Sequence, residues 1–216
     1  MKWIRVLLIF SFILVSGCSR KIMMRKYYIL EYRDFSPQEK IKLDNPFEYN
    51  VDVREFRVAK AFEQTRIALR SGSNELNYYF YHQWAVRPST AVAEVVYDII
   101  NKADIFNKCF RGYSTDADFL ITGEILAIER IESKKKGYAH LNIIFNFVDR
   151  NSGRSVLAHE FDRKVKLADR KMNTFAHVVS SLLCEGAIEF INRVVDFLNK
   201  RGYLNETGEG RTIISR

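Results

Sequence analysis

Cys18 is the residue in this sequence whose neighbours most clearly indicate a chemical reaction. It follows Val15, Ser16 and Gly17 directly. Small residues before a cleavage point let a peptidase hold the backbone closely, and the thiol that follows is a nucleophile that a diacylglycerol donor can alkylate. The spacing therefore predicts signal cleavage between Gly17 and Cys18, followed by acylation of Cys18.

The segment before Cys18 has the composition of a secretory signal. Lys2 and Arg5 are basic, and residues 6–15 are almost entirely apolar. A basic start followed by a short apolar run is typical of export signals, and this run is shorter than the roughly 20 residues that a membrane-spanning helix needs. The four residues that end at Cys18 resemble the bacterial lipobox. We therefore predict a signal peptide over residues 1–17; an uncleaved apolar anchor with an incidental cysteine is the alternative.

The residues after Cys18 bear on where the lipid anchor resides. In Gram-negative lipoproteins the next position resembles a sorting address, and Ser19 in place of aspartate predicts export to the outer membrane, with the domain on its periplasmic face. Residues 18–26 form a basic tether with four cationic side chains. Such a segment beside an acyl anchor gains about 1 kcal/mol per cation on anionic headgroups. A solvated spacer is the alternative interpretation of the tether.

The rest of the chain contains no motif of an enzyme or a metal site. No two histidines are four residues apart, and no H-E-x-x-H, G-x-S-x-G or phosphate-binding loop occurs. His140 and His159 fall on neighbouring predicted strands, but further ligands are lacking. We therefore predict no catalytic residues, no metal and no cofactor. The formal net charge of +8 is spread along the chain, which together with export excludes nucleic acid as a partner.

Two cysteines besides Cys18 would meet an oxidising periplasm. A disulfide between Cys109 and Cys184 would add about 3–4 kcal/mol by the chain-entropy argument. Each lies in an apolar segment, where a buried thiol is equally natural. The sequence leaves their pairing open.

The hydrophobic pattern predicts one α/β domain of the α+β type over residues 27–204, with a mainly antiparallel or mixed sheet and two helices packed on one face. Residues 205–216 are polar and are expected to form a flexible tail. Apolar residues at alternate positions predict strands. The predicted strands cover residues 27–32, 51–58, 66–70, 76–81, 106–110, 118–131, 138–149 and 154–167.

Apolar residues spaced three and four apart predict the two helices. The first begins after Pro88, with Ser89 or Thr90 as its cap. The second runs from Asn173 and ends near Gly202. Neither prediction requires a linker or an internal repeat, so the chain is interpreted as a single domain.

Aromatic side chains are concentrated in the predicted strand that follows the turn at residues 71–74. We interpret this hairpin as a candidate docking or lipid-facing surface, although strand alternation sends about half of its side chains into the core. Arg70 is expected to stack on it in a cation–π contact worth about 0.5–2 kcal/mol. The candidate docking residues are Tyr78, Tyr79, Tyr81 and Trp84.

The block from residue 66 to residue 88 resembles a known family pattern. Its matching residues are Ile67, Arg70, Glu75, Leu76, Tyr78, Tyr79, Trp84, Ala85 and Pro88. This arrangement resembles the I-x-x-R, E-L-x-Y-Y, W-A and P series of the ABC-type transport auxiliary lipoproteins. The strands at residues 28–30 and 117–125 extend the resemblance, so it spans nearly the whole mature chain.

The resemblance implies a lipoprotein on the periplasmic side that serves a lipid transport system. Its implied partners are a substrate-binding protein with mammalian-cell-entry domains and an ABC permease with its ATPase. Because this chain has no phosphate-binding loop, ATP hydrolysis would belong to a partner. A cell-envelope scaffold lipoprotein without a transport role is the alternative function, and association with further copies of the chain stays open.

Overall fold

The computed structural model describes residues 23–32, 41, 43, 45–133 and 136–206, together with Trp3. The predicted cleavage point at Gly17 and Cys18, the sorting residue Ser19 and most of the signal peptide lie outside the described residues. The same holds for two lysines of the 134–136 hairpin and for residues 207–216.

Within the described residues, nine strands form one mixed sheet, and two helices pack on it. The sheet is curled around its longest strand, the seventh. The strands are β1 (Lys26–Tyr28), β2 (Phe47–Val53), β3 (Arg57–Val58), β4 (Arg66–Arg70), β5 (Leu76–Trp84), β6 (Phe106–Arg111), β7 (Phe119–Ser133), β8 (Lys136–Asp149) and β9 (Ser155–Lys166). The helices are α1 (Pro88–Ala103) and α2 (Met172–Glu206), and a short 3-10 turn covers Lys60–Phe62.

Strand β7 organises the sheet because its two edges pair differently. One edge pairs with β8 in antiparallel fashion along nearly its whole length, and β8 pairs likewise with β9. The other edge pairs in parallel with β2, β3 and β4 in succession. The sheet therefore divides into two branches, one continuing from β2 to β6 and the other from β4 through β5 to β1. The predicted single α+β domain with a mixed, largely antiparallel sheet is confirmed.

Alternation along β7 and β8 explains why these strands could be predicted. Leu141, Ile143, Phe145 and Phe147 are fully buried on the face of β8 that meets α2, while the residues between them are half-buried. A register shift in the β7–β8 pairing just after Ile125 reverses which β7 positions point into the core. Period-two patterns with one buried face specify strand register strongly.

The predicted strand at residues 51–58 is interrupted at residues 54–56, and the reason lies across the sheet. Phe56 leaves the strand and packs edge-on against Phe145, with their ring centres 5.7 Å apart. Its ring lies over Gly123, where an added Cβ would overlap both the Phe56 ring and the carbonyl oxygen of Ile144. The chain therefore pairs with β7 twice, as β2 and as β3, with a buried aromatic side chain between.

Helix α1 has the predicted face, but its start differs. Its apolar stripe is buried from Val92 to Ile100. The cap is Arg87, without a side-chain hydrogen bond, and Pro88 occupies the first turn. Proline favours this position because its fixed φ already suits a helix. The hydroxyl of Thr90, a predicted cap, donates instead to Glu55 Oε1 at 2.7 Å.

Helix α2 is longer than predicted, because it continues past Gly202 to Glu206. In the described part of the chain, one helical stretch, Met172–Lys200, is long and apolar enough to cross a membrane. Of the 18 most apolar consecutive residues of this stretch, 67% are buried inside the domain. The ring of Phe190 stacks on Phe145 with 5.2 Å between centres. We therefore interpret α2 as the core helix of this domain.

Candidate docking surface

The aromatic strand β5 does not follow simple alternation, because its pairing with β4 is irregular. Arg66 lies opposite Gln83, but Ala68 lies opposite Tyr78, so β5 carries extra residues between these two pairs. A bulge of this kind redirects side chains locally. As a result the most exposed aromatic side chain of the strand is Phe80, at 59% exposure. The sequence alone does not single out Phe80, because the bulge depends on how β5 pairs with β4.

Trp84 does not belong to the surface, which corrects its place among the candidate docking residues. It is 2% exposed, and its ring lies 5.9 Å from that of Phe175 in α2. Its backbone N–H donates to Thr65 O at 2.7 Å. Trp84 is therefore a core residue that fixes the end of β5 beneath the helix.

The three tyrosines of β5 are half-buried and keep part of their surface exposed. The Tyr78 hydroxyl donates to Ala61 O at 2.9 Å, and the guanidinium of Arg66 lies 5.2 Å from its ring centre. Tyr81 meets Phe80 edge-on, with 4.9 Å between ring centres. Tyr78 and Tyr81 thus present ordered aromatic surface, which is the form in which tyrosine contributes to interfaces.

Tyr79 is tied to the interior of the sheet. Its hydroxyl donates to Glu132 Oε1 at 3.4 Å, and burial raises its pKa. Glu132 also binds Arg130 Nη2 at 3.0 Å. Arg130 is almost fully buried and donates through Nη1 to Arg170 O at 3.0 Å. This network makes Tyr79 a supporting residue and leaves Tyr78 and Tyr81 as the outward-facing members of the candidate set.

Strand β1 forms the edge of this branch and extends the aromatic surface. It pairs in parallel with β5, and the Tyr28 hydroxyl hydrogen-bonds His82 Nδ1 at 2.8 Å. Burial lowers the pKa of His82, with the nearby cations Lys26 and Arg130 adding to the effect. The guanidinium of Arg25, just before β1, lies 5.5 Å from the ring centre of Phe80.

Exposed apolar side chains line this edge, including Ile29, and we call four of the others the edge patch. Single exposed apolar residues are ordinary on proteins, whereas clusters of them mark sites of interaction. Met24 is the most exposed of the four, at 77%. The edge patch consists of Met23, Met24, Tyr27 and Phe80.

A groove of about 740 Å³ separates β1 from the first half of α2. Tyr28 and Ile29 form one wall, and Ala176 and Cys184 are part of the other. The Glu31 backbone N–H donates to Ser180 Oγ across it at 3.3 Å. Its lining also includes the polar residues Asn173, His177, Ser180 and Ser181, so the groove lacks the largely apolar lining typical of a small-molecule site.

A polar cluster crosses four strands on the sheet and replaces the stacking expected for Arg70. Arg70 Nε donates to both carboxylate oxygens of the buried Glu129, at 2.8 and 3.0 Å. His140 hydrogen-bonds Glu129 Oε1 through Nδ1 and Asp162 Oδ1 through Nε2, both at 3.0 Å. Arg70 is thus an ion-pair residue of the sheet.

The cluster shifts the pKa values of its members in opposite directions. The hydrogen bond to Glu129 raises the pKa of His140, burial opposes this, and Asp162 supports it. Burial alone would raise the pKa of Glu129, but hydrogen bonds from His140 and Arg70 outweigh it and hold that pKa below its ordinary value. Arg70 Nη1 also donates to the backbone oxygen of Ser73 at 3.2 Å, so the contacts of this group are to other parts of the protein, as in a structural network.

Within the described part of the chain, the histidines and cysteines do not combine into a metal site or a disulfide. His140 lies opposite Lys164 in the β8–β9 pair, whereas His159 lies opposite Phe145. Among the described residues, no three His, Cys, Asp or Glu side chains are grouped so that they could hold a metal ion. Cys109 on β6 and Cys184 on α2 do not form a disulfide.

At the opposite end of the sheet, Tyr113 lies on the loop between β6 and β7. Tyr113 is 84% exposed, and its φ of 62° is in the left-handed region. The Arg54 guanidinium lies 4.1 Å from its ring centre. The buried Asp52 accepts the N–H groups of Gly112 and Ser114, at 2.8 and 2.9 Å. Tyr113 is therefore held in place far from the edge patch.

Comparison with solved structures shows that other proteins share this fold. A Xanthomonas campestris protein of the DUF330 family has a TM-score of 0.66 at 13% identity, covering 76% of this chain and 94% of its own. An uncharacterised protein has a TM-score of 0.62 at 9% identity, covering 80% and 99%. A weaker likeness, which does not by itself indicate the same fold, is to the PelC dodecamer from Paraburkholderia phytofirmans, with a TM-score of 0.44 at 10% identity, covering 68% and 89%. No curated protein matches the sequence.

A family model gives the relationship that the structural similarities leave open. The model of the ABC-type transport auxiliary lipoprotein component matches residues 36–188. This range includes both β4 and β5 and about the first half of α2, so it confirms the resemblance seen in the sequence pattern. The chain belongs to the family of ABC-type transport auxiliary lipoprotein components.

Proposed function

We propose that this lipoprotein is the membrane-side adaptor of a lipid transporter. In this proposal, acyl chains on Cys18 hold the domain at the periplasmic face of the outer membrane. The domain docks a substrate-binding protein with mammalian-cell-entry domains, which an ABC permease and ATPase serve. It acts by binding and positioning, without catalytic residues, metal or cofactor of its own.

The observation that carries the proposal is the position of the exposed aromatic surface. Strands β1 and β5 pair at one edge of the sheet, and β1 begins eight residues after Cys18, at Lys26. A fully extended chain of this length reaches about 28 Å at most. The docking surface is therefore confined to the vicinity of the anchor, which raises the local concentration of any partner held there.

Within this surface, each aromatic residue of β5 has a separate role. Tyr78 and Tyr81 contact the partner, because their rings are ordered and partly exposed. Tyr79 and Trp84 hold the strand in place through Glu132 and Phe175. A lipid that crosses the periplasm needs a protected apolar route, and a partner docked beside the anchor would open directly onto the membrane.

The proposal is tested by photocrosslinking in living cells. A photoreactive residue is placed at Tyr81, and in a matched control at Tyr113, which is exposed at the other end of the domain. We expect the chain substituted at Tyr81 to capture a mammalian-cell-entry-domain protein or phospholipid, and the control to capture neither.

The alternative function predicts a different result. If the intact, correctly localised protein captures neither from this hairpin nor from the rest of its surface, the transport role fails. The chain would then be a cell-envelope scaffold lipoprotein. Capture of envelope proteins unrelated to transport would support that alternative.

A further inference from the structure

We propose that the domain lies against the bilayer through one defined end, with the edge patch (Met23, Met24, Tyr27 and Phe80) inserted among the lipid headgroups. The inference rests on the acyl anchor at Cys18 that the proposed function assumes. It goes beyond that function because it gives the orientation of the domain and names the side chains that contact lipid.

Strand register places the edge patch in the same half of the sheet as the β7–β8 hairpin. Ala68 of β4 lies opposite both Glu129 of β7 and Tyr78 of β5. Lys26 of β1 lies opposite His82, and the residues before it continue toward the hairpin end. Tyr27 lies opposite Gln83, which lies opposite Arg66, two residues before Ala68. The patch is therefore just on the hairpin side of the middle of β7, near Ala127 to Glu129, whereas the Tyr113 loop precedes the first residue of that strand.

This end of the domain is also rich in exposed cations. Lys136 lies opposite Ser133 at the hairpin, and Lys166 lies opposite Tyr138 beside it. Anionic headgroups attract such side chains at about 1 kcal/mol each near the surface. The exposed cations of this end are Arg25, Lys26, Lys136, Lys164, Lys166, Arg170 and Lys171.

Acidic side chains in the same region are engaged by other protein groups. Glu129 is buried between Arg70 and His140. Glu132 binds the buried Arg130 at 3.0 Å, and Asp162 binds His140 at 3.0 Å. Asp169, just after β9, lies 3.9 Å from Lys171 and offsets that cation. Glu129, Glu132 and Asp162 pair with Arg70, Arg130 and His140 rather than with the other exposed cations of this end.

The tether makes the bilayer the nearest apolar surface for the patch. Met23 follows Cys18 by five residues, which span about 18 Å at full extension. Methionine and aromatic side chains beside Arg and Lys are the combination that partitions into a membrane interface. The stacking of Arg25 on Phe80 brings one cationic and one aromatic side chain together. The lipid surface accounts for the charge, the apolar side chains and their distance from the anchor.

Depth-dependent fluorescence quenching tests this orientation. The mature acylated protein is reconstituted in vesicles of phosphatidylethanolamine and phosphatidylglycerol, with and without bromine atoms on the acyl chains. Phe80→Trp and Tyr27→Trp report on the edge patch, and Tyr113→Trp is the matched control. Trp84 is buried and common to all three chains, so it contributes the same background.

We expect bromine to quench the added fluorescence of the Phe80→Trp and Tyr27→Trp chains but not that of the Tyr113→Trp chain. Combining Arg25→Glu with Lys26→Glu should reduce the quenching, and so should vesicles of phosphatidylcholine alone. Equal quenching at the patch and at the control would overturn the inference, whether or not the partner of the transport system is found. A chain that mass spectrometry shows to be unacylated at Cys18 would overturn the anchor and this inference together. An acylated chain with an unquenched patch, protected instead by a protein partner, would overturn this inference alone.

Discussion

Replacing Trp84 should destabilise the domain far more than replacing Phe80, although both belong to the same aromatic strand. Trp84 is 2% exposed and packs on Phe175. Truncating such a side chain removes its burial and leaves a cavity, which costs about 3–5 kcal/mol. Phe80 is 59% exposed, and surface substitutions usually change the free energy of unfolding by less than about 0.5 kcal/mol.

Urea denaturation followed by far-ultraviolet circular dichroism measures this difference without relying on tryptophan fluorescence. With an m-value of about 2–3 kcal/mol per molar for a domain of this size, the midpoint for Trp84→Ala should fall by about 1–2 M. The midpoint for Phe80→Ala should stay within about 0.3 M of the parent. Equal midpoints for the two variants would refute the assignment of Trp84 to the core.

Four further predictions concern the anchor, two members of the polar cluster and the sheet. Cys18→Ala should leave an uncleaved precursor and abolish labelling by a fatty-acid probe; normal processing would contradict the lipidation site. Because folding raises the pKa of His140 above its ordinary value of 6.5, protonated His140 stabilises the fold at pH below 6.5. This contribution is lost as the pH rises through the folded pKa. His140→Gln should therefore flatten the fall in urea midpoint over that window, and an unchanged pH profile would remove His140 from the cluster. Because folding lowers the pKa of Glu129, ionised Glu129 stabilises the fold at pH above its ordinary pKa of 4.5, and this stabilisation is lost at more acidic pH. Glu129→Gln should abolish this pH dependence of the urea midpoint. Gly123→Ala should cost about 1–3 kcal/mol, because its Cβ would overlap Phe56 and a strand carbonyl; an unchanged thermal midpoint would show that the sheet can adjust there.

The parts of the fold that could be predicted are those that local pattern determines. Strands β7 and β8 alternate between buried and less buried residues, and α1 buries one stripe. Such periodicity is visible within a short window of sequence. The Arg66–Arg70 strand was predicted with its observed limits, because the turn after it contains Ser, Gly and Asn residues.

The parts that could not be predicted depend on partners distant in sequence. Whether Trp84 or Phe80 reaches the surface is decided by the irregular pairing of β5 with β4. The interruption between β2 and β3 depends on the space above Gly123. Arg70 was expected to stack on aromatic rings, but Glu129 of β7 lies within 2.8 Å of its Nε. Each of these outcomes requires the three-dimensional neighbour to be known.

The edge patch shows the same dependence on tertiary structure. Met23, Met24 and Tyr27 are close to Cys18 in sequence, but Phe80 joins them only through the parallel pairing of β1 with β5. The sequence indicated a basic tether, and the structure adds an apolar surface at its end.

Affinity purification of the acylated protein from solubilised envelopes tests the central claim most directly. The account predicts that a mammalian-cell-entry-domain protein, with its ABC permease and ATPase, is recovered with the wild-type chain in a fixed ratio. That ratio also gives the number of copies of this chain in the assembly. Recovery should be lost with Tyr81→Asp and retained with Tyr113→Asp. Recovery of the intact, acylated wild-type chain without any transport protein would contradict the account.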